Sequence, residues 1–174
     1  GTGRVLHQRI INTFSDDGRI GFEADLTHRA EQDPAVDILR ERWRITAFAT
    51  DDAYHGFDLQ TTQYALTDKP LVIQKYHYGG VALRGPVRWL AAKDGDLRKQ
   101  SEDSPKTFVF EPSAFLNDLG SDRIKGNLEH ARWVSLTGQI DGQPVTITVL
   151  CHRDNFRSPQ AARIHPTKPY FVYS

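Results

Sequence analysis

Apolar and polar residues alternate along most of the chain, and strands outnumber any helical periodicity. "RVLHQRIINTF" and "RIGFEADLTHRA" flank "SDDG", a turn signal, and predict a hairpin. "DILRERWRITAFAT" sets Leu39, Glu41, Trp43, Ile45 and Ala47 against Ile38, Arg40, Arg42, Arg44 and Thr46, which predicts a long strand with a short helix as competitor. "GFDLQTTQYALT", rich in Thr, Tyr and Phe, predicts another strand. "PLVIQKYHYGGVALRG" starts strand-like, reaches Gly79-Gly80 and resumes extended; paired glycines there mark a bulge or a close backbone approach.

Residues 91–106, polar and turn-rich, predict a surface loop, and "SAFLNDLGSDRIKGN" predicts loop with a helical turn. "HARWVSLTGQI" and "PVTITVLCH" flank Asp141-Gly142, the strongest hairpin signal in the chain. In the first of these arms Ala131, Trp133, Ser135 and Thr137 share one face, and Trp133 is expected in the core. "KPYFVYS" predicts a last strand after a proline-rich bend. Evenly spaced strands without convincing helices imply an all-β fold, an antiparallel β-sandwich or barrel, built as a single domain over residues 1–174.

Composition changes this picture little. The 174 residues can bury a real core, and 39% hydrophobic with 25% charged residues suits a globular chain. Lys plus Arg equals Asp plus Glu at 22 each, so charge gives no pull toward nucleic acid or an anionic membrane, and neither is expected as a partner. No apolar run approaches the roughly 20 residues of a spanning helix, and no signal peptide is visible. Compartment and oligomeric state stay undecided. The chain lacks methionine and begins "GTGRV", which reads as a processed form or a fragment. Its lone cysteine, Cys151, ends an apolar run and is expected to be a buried, inert thiol.

The candidate chemistry gathers in two stretches. "YHYGGVALRG" offers Tyr76, His77, Tyr78 and Arg84 beside flexible glycines, suited to stacking a sugar ring and bonding its hydroxyls; an edge strand with a bulge is the competing reading. "CHRDNFRSPQAARIHP" follows a strand and carries His152, Asn155, Arg157, Arg163 and His165 on a backbone stiffened by prolines. Its arginines suit a carboxylate or phosphate, and its histidines suit acid or base work near neutral pH. The alternative is a structural corner whose arginines bond backbone carbonyls. His130 lies just upstream of Trp133. Glu41 or Asp154 is available as a carboxylate partner for a histidine. None of the seven histidines shows HExxH or tight HxH spacing, so no metal or cofactor is assigned.

"YHYGGVALRGP" together with "GSDRIKGNLEHARWVSLTGQIDGQPVTITVLCHRDNFRSPQAARIHPTKPYF" resembles the C-terminal half of the PmoA-like family, bacterial proteins of largely unknown function that carry a methane-oxygenase label. The resemblance covers roughly residues 71–172. Members carry an earlier "HHRG"-like segment that is absent here, which fits a chain incomplete at its N-terminus. Arg153-Asp154 stands where they have His-Pro before the asparagine. The resemblance implies a sandwich like that of aldose mutarotases and a saccharide ligand. It maps His77, Arg84, His130, His152, Asn155, Arg157, Arg163 and His165 onto matching positions.

Three functions are therefore expected to compete. In a carbohydrate-active enzyme His77, His130, His152 and His165 supply acid–base catalysis, and Tyr76, Arg84, Asn155, Arg157 and Arg163 bind substrate. A non-catalytic sugar-binding module would use Tyr76, Tyr78 and Trp133 as stacking surfaces. A metal-dependent oxygenase or hydrolase is the third.

Overall fold

A computed structural model describes residues 3–49, 54–90, 111 and 113–174. The loop predicted at 91–106 lies outside the described residues. Among those described, every regular element but one 3-10 turn is a strand, and every strand pair is antiparallel. The chain groups into two compact units, Gly1–Ile73 and Gln74–Ser174.

The first unit is a four-stranded meander of β1 (Gly3–Asp16), β2 (Arg19–Ala30), β3 (Val36–Phe48) and β4 (Phe57–Ala65). Asp17 and Gly18 both take positive φ, 47° and 71°, the primed turn that matches strand twist. Directly paired residues share a face. Ile10, Ala24 and Trp43 line up across three strands on an apolar face. On the other face Asp25 meets Arg9 at 3.5 Å and Arg42 at 3.4 Å. One side of this sheet is therefore mostly apolar, with Glu41 and His28 paired on it, and the other is charge-laddered.

The second unit has two sheets. One has the order β5 (Val81–Arg84), β11 (Tyr170–Tyr173), β10 (Ala161–Ile164), β7 (Glu129–His130). The other has β6 (Ala114–Asn117), β8 (Trp133–Ile140), β9 (Gln143–Leu150). Phe115, Val134 and Leu136 from one sheet join Ala162, Ile164 and Phe171 from the other in a single buried cluster, a sandwich-like core. Phe171 meets Phe115 and Tyr173 edge-on, with ring centres 6.3 and 5.6 Å apart. The Asp141-Gly142 hairpin forms as predicted, with φ of 51° and 77°. Cys151 is buried in this cluster, as expected.

Several local expectations are corrected. Residues 70–78 form no strand, because the ladder with β11 begins only at Val81. Residues 114–117 are strand rather than loop, paired with β8 through Phe115 and Leu136. Residues 161–164, expected within a stiffened loop, pair with both β7 and β11. Trp133 is only partly buried, since the bend at Ala131-Arg132 shifts the alternation and turns Val134 and Leu136 inward. The core tryptophan is Trp89, in the 3-10 turn Val87–Trp89.

Candidate functional site

The register of the second unit places the chemistry. On β10 and β11 the inward side chains are Ala162, Ile164, Phe171 and Tyr173. The opposite face carries Arg84, Tyr170 and Arg163: Tyr170 pairs directly with Arg84, and Val172 with Arg163. The Arg84 guanidinium lies 4.9 Å from the centre of the Tyr170 ring, a cation–π contact. The His165 ring lies 4.8 Å from the same ring. Arg163 donates to the Asn127 side-chain oxygen at 2.9 Å and to the Ile164 carbonyl at 2.6 Å.

A tight turn between β10 and β11 holds His165 and Lys168. His165 N–H donates to the Tyr170 carbonyl at 3.1 Å. His165 Nδ1 accepts from the N–H groups of Thr167 and Lys168 at 3.2 and 3.0 Å, so in the neutral ring Nε2 carries the proton. Arg123 clamps this turn from beneath. It donates to the His165 carbonyl at 3.2 Å, the Lys168 carbonyl at 2.8 Å and Ser113 Oγ at 3.0 Å. Burial lowers the Arg123 pKa, and its guanidinium lies 4.6 Å from the centre of the Phe115 ring.

The segment before β5 lays Tyr76, His77 and Tyr78 beside this face. Gly79 N–H closes a turn onto the Tyr76 carbonyl at 3.0 Å. The three rings form a cluster, with centres 4.2 to 5.8 Å apart. The Tyr78 and Tyr170 phenols influence each other, within the field of Arg163 and Lys168. The hydrogen bond from Tyr170 lowers the Tyr78 pKa, opposed by partial burial and helped by Arg163 and Lys168. Burial raises the Tyr170 pKa, and its bond to Tyr78 adds to the rise, while Arg163 and Arg84 oppose it. Tyr170 is 8% exposed, whereas Tyr78 is 47% exposed. One phenol is thus buried and the other reachable.

His77, His165, Arg84, Arg163 and Tyr76 therefore gather at one end of β10. His130, His152, Asn155 and Arg157 sit at its other end. His130 Nδ1 lies 2.7 Å from the Pro159 carbonyl and donates to it. His152 is exposed and accepts the Asp154 N–H at 3.2 Å, with the Asp154 carboxylate at 3.7 Å. Asn155 N–H donates to the His152 carbonyl, and its amide lies 3.6 Å from Cys151 Sγ. Arg157 has a φ of 62° and lies over the Phe156 ring at 4.7 Å. Residues 151–158 bond largely within their own loop and form a corner. The proline-stiffened stretch is thus two things: a corner first, then a strand that delivers Arg163 and His165.

The carboxylate partners also separate. Asp154 stays with His152. Glu41, buried in the first sheet, meets His28 Nε2 at 2.8 Å and Gln63 at 3.4 Å. The groove lined by residues 15–20 and 47–49 holds none of the sequence-predicted residues. Among the described residues no three His, Cys, Asp or Glu side chains converge as a metal site. None of their helices is long and apolar enough to cross a membrane.

The sequence matches a family of unknown function, DUF6807, over residues 1–172. The chain belongs to that family. The DUF6807 match includes β1 to β4 as well as the residues from 71 onward, and its description assigns no activity and makes no link to PmoA. No curated protein and no solved structure matches the chain.

Sequence reasoning missed Tyr170, Lys168 and the clamp by Arg123 in this DUF6807 chain. A signal existed. "AARI" and "YFVY" flank a short "HPTKP", and a hairpin there sets Tyr170 beside His165. The paired glycines, expected to mark a bulge or a close backbone approach, make a close approach at Gly80. A Cβ on Gly80, whose φ is 103°, would lie 2.0 Å from the Tyr173 carbonyl oxygen. Gly80→Ala is therefore expected to push the Tyr76–Tyr78 segment off β11, while Gly79→Ala, with 3.5 Å of clearance, leaves it in place. Loss of ligand binding in Gly80→Ala alone, with an unchanged circular dichroism spectrum, checks this.

Proposed function

We propose that this DUF6807 chain acts on a saccharide by acid–base chemistry at the Tyr78–Tyr170 pair. The observation that carries the reading is the gathering of Arg84 and His165 on the Tyr170 ring, 4.9 and 4.8 Å from its centre, with Tyr78 acting on the same phenol so that the Tyr78 pKa is lowered and the Tyr170 pKa raised. Such divergence assigns a base and an acid: Tyr78 as the base, Tyr170 as the donor. Arg84 and Arg163 flank the pair and suit sugar hydroxyls or an acidic group. His77 and His165 pack on the two phenols. The PmoA-like resemblance supports the saccharide through the sugar-active sandwich it implies. Its oxygenase label lacks support from a three-ligand cluster among the described residues.

A binding module is the second reading, favoured by the Tyr76, His77 and Tyr78 rings, of which both tyrosines are about half exposed. The two part on turnover. Proton NMR of a panel of neutral and acidic saccharides should show at least one converted by the wild-type chain. Saturable binding without conversion, lost in Tyr76→Ala, would establish the module instead.

The pH profile identifies the groups. Catalysis requires Tyr78 ionised and Tyr170 protonated. The Tyr78 pKa is depressed below the ordinary value of 10, so turnover should rise with pH through a limb below 10. The Tyr170 pKa is raised, so the falling limb should lie above 10. A single limb near the ordinary histidine value of about 6.5 would move the chemistry to His77 or His165.

A further inference from the structure

We infer that the open edge of the first unit pairs with the same edge of a second copy, joining two four-stranded sheets through β4. The inference is independent of the acid–base reading above and concerns the first unit alone.

The unpaired backbone groups of an edge strand are a template for another strand. Proteins guard such edges with charge, proline, bulges or short length. The other edges among the described residues are guarded. β1 is broken by register shifts at His7/Arg9 and Ile10/Asn12 and carries Arg4 and Arg9. β5, β6 and β7 have four residues or fewer, and β9 holds Pro144. β4 has none of these devices. It runs nine residues, Phe57–Ala65, in unbroken register with β3. It contains no proline, no lysine and one charge, Asp58. All nine residues are exposed, Phe57 at 72%.

A second copy fits this edge because β4 is complementary to itself. A twofold axis perpendicular to the sheet sets two β4 strands antiparallel and keeps each face continuous. Centred on Thr61, it pairs the whole strand. Thr61 meets Thr61, Gln60 meets Thr62, Leu59 meets Gln63, Asp58 meets Tyr64 and Phe57 meets Ala65. No like charges stand opposite each other. The charged face also gains an ion pair. Arg40 pairs with Tyr64 across β3 and β4, and its guanidinium lies 4.9 Å from the centre of the Tyr64 ring. Beyond the axis that ring stands beside Asp58 of the second copy. The gap from Arg40 to that Asp58 is two strand spacings, roughly 10 Å, which the arginine laid over Tyr64 and the carboxylate span together. Within its own chain neither Arg40 nor Asp58 forms an ion pair with a described residue. The axis makes this pair twice, and the guarded β1 edges close the assembly at two copies.

The test is sedimentation velocity of the full chain over a concentration series, with cysteine variants placed under mild oxidation. The expected result is a concentration-dependent dimer. Thr61→Cys is expected to form a disulfide-linked dimer, because directly opposed Cα atoms lie about 4.5–5.5 Å apart, within disulfide range. Leu59→Cys is expected not to, because the two copies of position 59 are offset by about 13 Å along the strand. The native Cys151 is buried and leaves the readout clear. Asp58→Arg sets like charges together and is expected to weaken the dimer about tenfold, and adding Arg40→Asp to restore it. A monomer at every concentration overturns the inference. So does a dimer that cross-links through position 59 and not through position 61. Assemblies that grow past two copies overturn the closed twofold. A dimer unweakened by Asp58→Arg, or weakened and not restored by Arg40→Asp, overturns the ion pair.

Discussion

Tyr78→Phe is expected to lower turnover by about 10²–10⁴-fold, the usual contribution of a positioned acid or base. The melting temperature should barely move, because Tyr78 is 47% exposed and lies outside the buried cluster of the second unit. Only one oxygen is lost, so the ring cluster with Tyr76 and His77 stays in place. Saccharide affinity should therefore survive within a few fold. Tyr170→Phe makes a complementary case. It removes the proton donor and also the hydrogen bond that is the main cause of the lowered Tyr78 pKa. Its residual activity should peak at higher pH than that of the wild type. Steady-state kinetics, calorimetric binding and thermal melting on the same preparations separate the outcomes. Full turnover in Tyr78→Phe would remove the pair from the chemistry. Lost binding together with lost turnover would make Tyr78 a stacking surface.

What the sequence revealed and what it hid have a common cause. Hairpin turns are local, and Asp17-Gly18 and Asp141-Gly142 were read correctly because two residues fix the turn. The amphipathic face of the first sheet was also legible, since period-two alternation along one strand sets the face. The site was only half legible. Arg84, Arg163, His77 and His165 were picked for their chemistry, and the structure gathers them. Their partner Tyr170 hid inside "KPYFVYS", which reads as plain strand. Residue type does not sort positions: His130 and His152 look as reactive as His165, and pairing with Ala161 puts His130 at the other end of β10. Three-dimensional sorting of this kind needs the register, and the register of β10 rests on pairings with β7 and β11 that are distant in sequence. Trp89 was hidden for the same reason. Its surroundings come from Gly85 nearby and from Gly138 across the sandwich.

That packing sets the largest stability effect expected in the chain. Trp89 is fully buried, and its Nε1 donates to the Gln139 carbonyl at 2.7 Å. The ring lies flat against glycine backbone: a Cβ on Gly138 would sit 2.3 Å from the indole, and one on Gly85 would sit 2.6 Å from it. Trp89→Ala therefore empties the space, removes the hydrogen bond to the Gln139 carbonyl and should cost about 3–5 kcal/mol. At about 4–8 °C per kcal/mol for a domain of this size, the transition of the second unit should fall by more than about 10 °C. Gly138→Ala fails the opposite way, by overpacking, and should cost about 1–3 kcal/mol. The pair is more informative than either change. With the indole gone, the Cβ at position 138 has room, so the double variant should be more stable than the sum of the two losses predicts. Denaturant melts of all four proteins measure this coupling. Strict additivity would mean that Trp89 and Gly138 do not touch, and the sandwich core would need a different centre.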